Sequence, residues 1–216
     1  MPTRADRQLR AVRLAKDCFD LGARGRTIHH VTGLSLRELR RLLYADAKRV
    51  PRGRAPDSPE WYHGANLLDQ AESSLFMSIY RRLRNSGFGA GETLVGAYRH
   101  YQGVCHCPSR ISFDRAFDLA GHTDGIWVAK TSIFAVALCK VCGGEFLVPH
   151  GGDRCGGDNC PFCKLVQRYA TDLRVQASFP ELQHTTEPIE VQLGIMALVC
   201  PGHQPHTPPG GETAPK

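Results

Sequence analysis

Two pairs of cysteines in the second half of the chain have the spacing of metal ligands, Cys139-Lys-Val-Cys142 and Cys160-Pro-Phe-Cys163. The 17 residues between the pairs fall within the range found in zinc sites closed by four thiolates. Each tight turn brings two sulfurs together, and the loop brings both turns around one tetrahedral ion. Four thiolates leave no open coordination position, so the sequence predicts one structural Zn²⁺ per chain. Two unrelated redox-active or buried cysteine pairs are the alternative.

The other cysteines and polar residues are weaker candidates for chemistry. Cys155 lies between the two pairs and could replace Cys160 as a ligand, although the spacing within each pair favours Cys160. Cys105, His106 and Cys107 are adjacent, and three adjacent residues cannot easily surround one ion, so we expect a structural role for them. Carboxylates, histidines and nucleophiles stand in no recognisable catalytic order. The sequence therefore predicts no catalytic residue and a protein that is not an enzyme.

Composition places the chain among globular proteins. Hydrophobic residues make up 42% and charged residues 22% of its 216 residues, as in ordinary globular domains. The longest apolar stretch, residues 133–138, is too short to cross a bilayer, and the N-terminus leads to no apolar signal core. Nine cysteines without an export signal indicate metal ligation in a reducing compartment. We therefore expect a cytoplasmic protein with no membrane partner.

The positive charge is concentrated at the N-terminus. Residues 1–54 contain 14 Lys and Arg against 5 acidic residues, whereas residues 55–216 contain 13 against 16. A basic end on an otherwise near-neutral protein usually binds a polyanion such as nucleic acid. A solvated charged face that maintains solubility would give the same composition.

The helix pattern of this basic region is typical of a helix-turn-helix. A first helix is predicted from Ala5 to Gly22 and a short second helix over residues 24–30, followed by a turn that contains Gly33. Ser35 and Glu38 form a capping box that begins a third helix, which we expect to reach about residue 50.

The third helix places aliphatic side chains on one face and cations around a tyrosine on the neighbouring face. In a helix-turn-helix this helix enters the major groove, and cations beyond its end contact phosphates. The predicted DNA-binding residues are Arg37, Arg40, Arg41, Tyr44, Lys48, Arg49, Arg52 and Arg54. An ordinary helical hairpin with a solvated basic face is the alternative.

Four regions follow one another along the chain. A linker rich in Pro and Gly ends at Ser58-Pro59, which caps a long helix predicted to include Trp61 and to end before Gly87. The regions are a helix-turn-helix-like unit (1–55), a helical platform (56–130), a four-cysteine zinc module (131–170) and a poorly ordered tail (171–216). The fold class is thus mostly α, with a helix-turn-helix-containing helical domain followed by a small C-terminal zinc-ribbon-like module.

Five short strings stand in the same order as in a known bacterial family. They are Leu21-Gly-Ala-Arg24, Gly33-Leu-Ser35, Ser58-Pro-Glu-Trp61, Ala97-Tyr-Arg-His-Tyr101, and Cys139-x-x-Cys142-Gly-Gly-x-Phe146 with the second cysteine pair. Over roughly residues 10–165 the chain resembles FlhC, the flagellar transcriptional activator subunit. The fourth and fifth strings are the specific ones, because a helix-turn-helix alone is common.

The resemblance implies a function in transcription. It implies a hetero-hexamer of four FlhD and two FlhC chains that binds promoter DNA upstream of flagellar operons and activates transcription by contacting RNA polymerase. The zinc ligands of the family map onto the four cysteines of the two pairs, Cys139, Cys142, Cys160 and Cys163.

Two other classes of function remain open from the residues alone. One is a zinc-ribbon nucleic-acid-binding or RNA-polymerase-associated protein without promoter specificity, which would bind unrelated sequences equally well. The other is a zinc-dependent enzyme or thiol oxidoreductase, which needs an open coordination position or an accessible cysteine of low pKa.

Overall fold

The computed structural model of the protein describes residues 3–43, 58–105, 109–150 and 160–178. This part of the chain is mostly helical, as predicted, and contains one antiparallel pair of strands. In chain order the elements are α1 (Arg4–Asp20), α2 (Gly25–Thr32), α3 (Leu36–Leu43), a 3-10 helix (Pro59–Tyr62), α4 (Leu67–Asn85), α5 (Ala90–Val104), α6 (Phe113–Asp124), β1 (Phe134–Leu138), β2 (Glu145–Pro149), α7 (Pro161–Tyr169) and α8 (Leu173–Ser178).

The first three helices pack together as a three-helix unit, and the predicted order of helix, turn and capped helix is confirmed. Gly33 ends α2 with φ +74°, a left-handed conformation that glycine adopts without strain. The capping box is present at the start of α3: Glu38 accepts the Ser35 backbone N–H at 2.8 Å, and Ser35 Oγ accepts the Glu38 N–H at 3.2 Å. The predicted continuation of α3 beyond Leu43 lies outside the described residues.

The long helix predicted to follow Ser58 is divided in two. Ser58 does cap a helix start, but only the 3-10 helix Pro59–Tyr62 follows it. The chain then turns, and Asn66 caps α4 by accepting the Asp69 N–H at 2.9 Å. Trp61 therefore lies before the long helix, because a second strong N-cap residue begins a new helix at Asn66.

The main hydrophobic core is built around α4 and α5, which pack against each other. Aromatic side chains fill it: Phe76 and Tyr80 from α4 are fully buried, and the Phe76 ring makes edge-on contacts with Tyr98 and Tyr101 from α5. The three-helix unit joins this core through α5 and contributes buried residues such as Leu39.

The strand pair packs against α4 through the edge of β2 that does not pair with β1. β1 and β2 pair with Val136 opposite Leu147 and Phe134 opposite Pro149. The Leu147 N–H donates to Ser74 Oγ at 3.1 Å, and the Leu147 carbonyl accepts the Tyr62 hydroxyl at 2.8 Å. The far edge of β2 is therefore satisfied by side chains of the helical platform, which anchors the hairpin.

Candidate metal centre

The first cysteine pair occupies the turn between β1 and β2. Cys139 follows the last residue of β1, and its carbonyl accepts the Gly143 N–H at 2.9 Å, which closes a tight turn. Gly143 has φ +69°, a conformation that a side chain would strain. Two amides face the sulfurs, since the Val141 N–H lies 3.4 Å from Cys139 Sγ and the Gly144 N–H lies 3.4 Å from Cys142 Sγ.

The second pair begins a helix. Cys160 is the N-cap of α7, Pro161 is at the first turn, and Cys163 is one turn further on. The hairpin has the ribbon-like form that the sequence predicts, whereas the second pair stands on a helix rather than in a second hairpin turn. The N-terminal end of α7, where the helix dipole is positive, lies at this pair.

The four sulfurs of the two pairs converge. Their Sγ atoms all lie within 4.8 Å of one another, with 3.7 Å between Cys139 and Cys163 and 3.8 Å between Cys142 and Cys160. Four sulfurs at the usual Zn–S distance of about 2.3 Å from a tetrahedral ion lie about 3.8 Å apart. A disulfide would instead bring two sulfurs to about 2.0 Å. The geometry therefore fits four ligands around one metal ion, and we call these residues the four-cysteine cluster.

The four-cysteine cluster has its own small apolar surrounding. Phe146 is buried with Cys139 and Cys160, and Phe162 packs against them. A Cβ on Gly144 would lie 3.3 Å from Cys142 Sγ and 3.5 Å from the Phe162 ring, so glycine lets the backbone approach the sulfur closely. Cys142 is the exposed member of the cluster. One side is thus open to solvent while the other is packed.

The thiols of the four-cysteine cluster differ in the direction in which their pKa is shifted. The backbone amides of Cys142 and Val141 lower the pKa of Cys139 to about 6. Hydrogen bonding with the Cys142 thiol raises the pKa of Cys163 to about 12, and burial raises the pKa of Cys160. Cys139 is therefore favoured as a thiolate, whereas Cys160 and Cys163 are favoured as thiols. A divalent ion at the centre would stabilise all four residues as thiolates.

Among the other cysteines considered above, Cys105 is described and is not part of this cluster. Cys105 ends α5, and its burial raises the pKa of its thiol to about 12. Cys155, His106 and Cys107 lie outside the described residues. In the part of the chain that the structure describes, the four-cysteine cluster is the group of residues able to hold a metal ion.

The predicted DNA-binding residues fall in two groups. Arg37, Arg40 and Arg41 are exposed on α3, while Leu39 on the same helix is buried in the core. The aliphatic face predicted for this helix is therefore only partly buried, since Leu36 at the helix start is 48% exposed. The other predicted contacts lie outside the described residues: Tyr44, Lys48, Arg49, Arg52 and Arg54.

The turn between α2 and α3 is held by a side chain whose role the sequence did not reveal. His29 Nδ1 lies 2.7 Å from the Leu34 carbonyl oxygen, a hydrogen bond that requires the proton on Nδ1. The Gly33 N–H also donates to the His29 carbonyl at 2.8 Å. Two bonds thus join the end of α2 to the approach to α3. The position of His29 four residues before Gly33 is visible in the sequence, but it does not distinguish this hydrogen bond from simple packing or a phosphate contact.

A buried carboxylate on α6 was also missed. Asp114 is 4% exposed and accepts hydrogen bonds from the start of α2, although 90 residues separate it from Arg24. An acidic residue in the first turn of a helix is common on exposed surfaces, where it only complements the helix dipole. No local pattern distinguishes that case from a buried contact between distant elements.

The fold and the four-cysteine cluster define a helical protein with a helix-turn-helix-like unit and a small module whose four cysteines could hold a metal ion. The family model for the flagellar transcriptional activator FlhC matches residues 5–176. The match includes the three-helix unit and all four cysteines of the cluster. The chain belongs to the FlhC family, a family of transcriptional regulators of flagellar genes and not a class of enzymes.

Individual relatives agree with this family. The flagellar transcriptional regulator FlhC of Cupriavidus metallidurans is 32% identical over 181 residues, which cover 80% of this chain and 79% of the relative. The regulator of the same name from Proteus mirabilis is 26% identical over 175 residues, 80% of this chain and 88% of the relative. That of Variovorax paradoxus is 29% identical over 167 residues, 74% and 78%. Within the described ranges, no helix is both long and apolar enough to span a membrane.

Proposed function

We propose that the chain is a zinc-containing, DNA-binding subunit that activates transcription of flagellar operons together with an FlhD-type subunit. The observation that carries this proposal is the family match over residues 5–176, which includes both the three-helix unit and the four-cysteine cluster. Membership of a regulator family supports the general function, the three-helix unit is the proposed DNA-binding site, and the four-cysteine cluster is the proposed metal site.

Zinc is the metal we assign to the four-cysteine cluster. The donor set consists of four sulfurs, which select soft or borderline metals, and the sulfur separations of 3.7 and 3.8 Å match a tetrahedral zinc site. Four protein ligands leave no position for a reactive water, so the ion is structural. Zinc then supplies folding free energy to the module and takes no part in chemistry.

DNA contact is assigned to α3 and the basic segment after it. The three arginines described on α3 are exposed, and its buried Leu39 fixes the opposite side of the helix against the core. A helix held in this way presents its cations to a groove. The proposed contacts are Arg37, Arg40, Arg41, Tyr44, Lys48, Arg49, Arg52 and Arg54.

The partners are proposed from the family. An FlhD-type subunit would form a hetero-hexamer of four FlhD and two FlhC chains, and the complex would contact RNA polymerase at the promoter. The setting is the cytoplasm, where thiolates stay reduced and accessible to a metal. A zinc-stabilised nucleic-acid-binding protein without promoter specificity is the second candidate, supported by the exposed α3 arginines alone.

A gel-shift titration tests these proposals against each other. The full-length chain, alone and copurified with its FlhD-type partner, is titrated onto a fragment from upstream of a flagellar operon and onto a shuffled fragment at physiological salt. We expect a partner-dependent preference of about 10³-fold for the true fragment. Equal affinity for both fragments would favour the second candidate and reject promoter recognition.

Substitutions identify the contact surface. Arg40→Ala should weaken binding to the promoter fragment by about 1–3 kcal/mol if Arg40 faces a guanine edge. If it contacts a phosphate, the salt dependence should fall by about one unit of slope on both fragments. Arg82→Ala is the matched control, because Arg82 is an exposed arginine on α4. Equal behaviour of the two variants would place the DNA elsewhere.

A further inference from the structure

Asp114 provides from α6 the cap that α2 lacks. The N-cap residue of α2 is Arg24, whose side chain makes no capping hydrogen bond. Its backbone N–H donates instead to Asp114 Oδ1 at 3.1 Å, and the Thr27 hydroxyl donates to the same oxygen at 2.6 Å. Thr27 stands where a capping box would have an acidic residue, and Asp114 performs that function from a distant helix.

The other carboxylate oxygen of Asp114 holds the Arg24 side chain. The guanidinium Nη1 lies 2.9 Å from Asp114 Oδ2, and the carboxylate is nearly buried. Asp114 itself lies in the first turn of α6, so the positive ends of two helix dipoles meet at one negative charge. Hydrogen bonds to a buried carboxylate are strong and directional, so they determine where α2 begins relative to α6.

Further contacts continue this arrangement to α3. One turn beyond Thr27, the His30 ring stacks on Phe117 of α6 at 6.2 Å between centroids. At the end of α2, His29 Nδ1 bonds the Leu34 carbonyl oxygen at 2.7 Å, just before α3 begins. Both ends of α2 are thus fixed, one to the helical platform and one to the turn that leads into α3.

We propose that Asp114 is a positioning residue that sets the orientation of the helix-turn-helix unit on the platform and thereby its promoter specificity. The inference rests on the proposed DNA-binding function. It follows because groove recognition requires the helix to be held within a fraction of an ångström, whereas non-specific attraction to phosphates does not. Loss of the Asp114 bonds should therefore lower specific affinity more than non-specific affinity.

The test compares two carboxylates of the same helix. Asp114→Asn keeps the size of the side chain but removes the negative partner of Arg24. Asp124→Asn removes a carboxylate at the other end of α6, where it accepts the Tyr80 hydroxyl at 2.9 Å and the Arg84 Nε–H at 3.2 Å, both from α4. The complex of each full-length variant with the FlhD-type partner is titrated onto the promoter and shuffled fragments, and its melting temperature and zinc content are measured.

The ratio of the two dissociation constants is the decisive quantity. We expect Asp114→Asn to lower the preference for the promoter fragment about tenfold, as loss of one base contact would, with unchanged zinc content. Asp124→Asn should lower the melting temperature and leave the preference unchanged. A purely structural role would reduce the fraction of active protein in either variant without altering the ratio, and that result would overturn the proposal.

A second pair of variants covers the case in which Asp114→Asn does not fold. Thr27→Val removes one hydrogen bond to Asp114 and keeps the ion pair with Arg24, while Thr27→Ser retains the hydroxyl. We expect the preference to fall in Thr27→Val and to be kept in Thr27→Ser. Equal preference in both would reject the inference while leaving the proposed function intact. If the wild-type complex itself shows no preference, the proposed function fails and the inference fails with it.

Discussion

Replacement of Cys160 by serine distinguishes the contribution of the metal to stability from that of the helix that carries this ligand. Cys160 is buried and is the N-cap of α7, yet its side chain makes no capping hydrogen bond. Serine is among the preferred N-cap residues, so Cys160→Ser should keep or strengthen the start of α7 while it removes one sulfur. Any loss of order in the C-terminal module would then report on the metal.

The expected effect on zinc binding is large. Structural zinc sites contribute about 10–16 kcal/mol on binding. If four thiolates share this free energy, each accounts for about 3 kcal/mol, or about 100-fold in Kd. The short distance of 3.8 Å from Cys160 Sγ to Cys142 Sγ indicates that Cys160 takes a full share. We therefore expect Cys160→Ser to weaken zinc binding by about 100-fold or more.

Competition against a chromophoric zinc chelator measures this change on the full-length protein, and elemental analysis gives the zinc content. Cys105→Ser is the control, because Cys105 lies outside the four-cysteine cluster at the end of α5. Cys155→Ser tests for an exchange of ligands. Wild-type affinity in Cys160→Ser together with weak binding in Cys155→Ser would show that Cys155 is the fourth ligand and would refute the assignment.

The loss of order that follows zinc removal should be confined to the hairpin tip and the start of α7. Phe134 and Leu147 of the hairpin belong to the main core, whereas Phe146 near its tip belongs to the small apolar group around Cys139 and Cys160. Burial of one such side chain contributes about 2 kcal/mol, which is far too little to order the hairpin tip without the ion, whereas Leu165 holds the later part of α7 against Ala71 of α4. Hydrogen exchange should therefore accelerate over residues 138–146 and 160–163 after zinc removal and stay slow in α4 and α5.

Three further predictions concern the helical part. Ser35→Ala removes the oxygen that accepts the Glu38 N–H at 3.2 Å and should lower the free energy of unfolding by about 1 kcal/mol in urea titrations, with Ser35→Thr unchanged. Gly91→Ala would place a Cβ 2.7 Å from Leu14 Cδ2 and 3.1 Å from Val31 Cγ1, and this crowding should offset the gain of about 1 kcal/mol that alanine brings to a helix, so a variant stabilised by about 1 kcal/mol would contradict the tight α1–α5 packing. Burial and nearby positive charges lower the pKa of His30, so the stability this residue confers is present above its unfolded pKa of about 6.5 and is lost as the pH falls. Unfolding free energy should therefore drop between pH 7.5 and 5.5 in the wild type and drop less in His30→Gln.

Local signals account for the features that could be predicted from the sequence. The capping box at Ser35 and Glu38 involves residues three apart, and its geometry is fixed by the helix itself. The left-handed Gly33 and the cysteine spacing are equally local. The cap and the turn need only a few neighbouring residues to specify a conformation, and the two cysteine pairs need only one short loop between them. That is why the helix order and the convergence of the four cysteines were both predicted.

Features that depend on competition between two possible helix starts, or on contacts between distant residues, were not predicted. The helix start at Ser58 was recognised, but Asn66 eight residues later begins a second helix, and relative cap strength alone does not show which one continues. The contact of Asp114 with Arg24 joins residues 90 apart and becomes visible only in the folded chain. Long-range burial decides such cases, and a single sequence carries little information about it.

Zinc removal also tests whether the metal module contacts the DNA or the partner subunit, because the three-helix unit and the metal module pack on different helices. The three-helix unit packs on α5 and receives its cap from α6, and both helices belong to the main core. The metal module packs on α4 through β2 and α7. Because the supports of α3 do not include the metal, removal of zinc should leave the orientation of α3 unchanged. If zinc-free protein nevertheless loses promoter binding, the metal module must itself contact the DNA or the partner subunit.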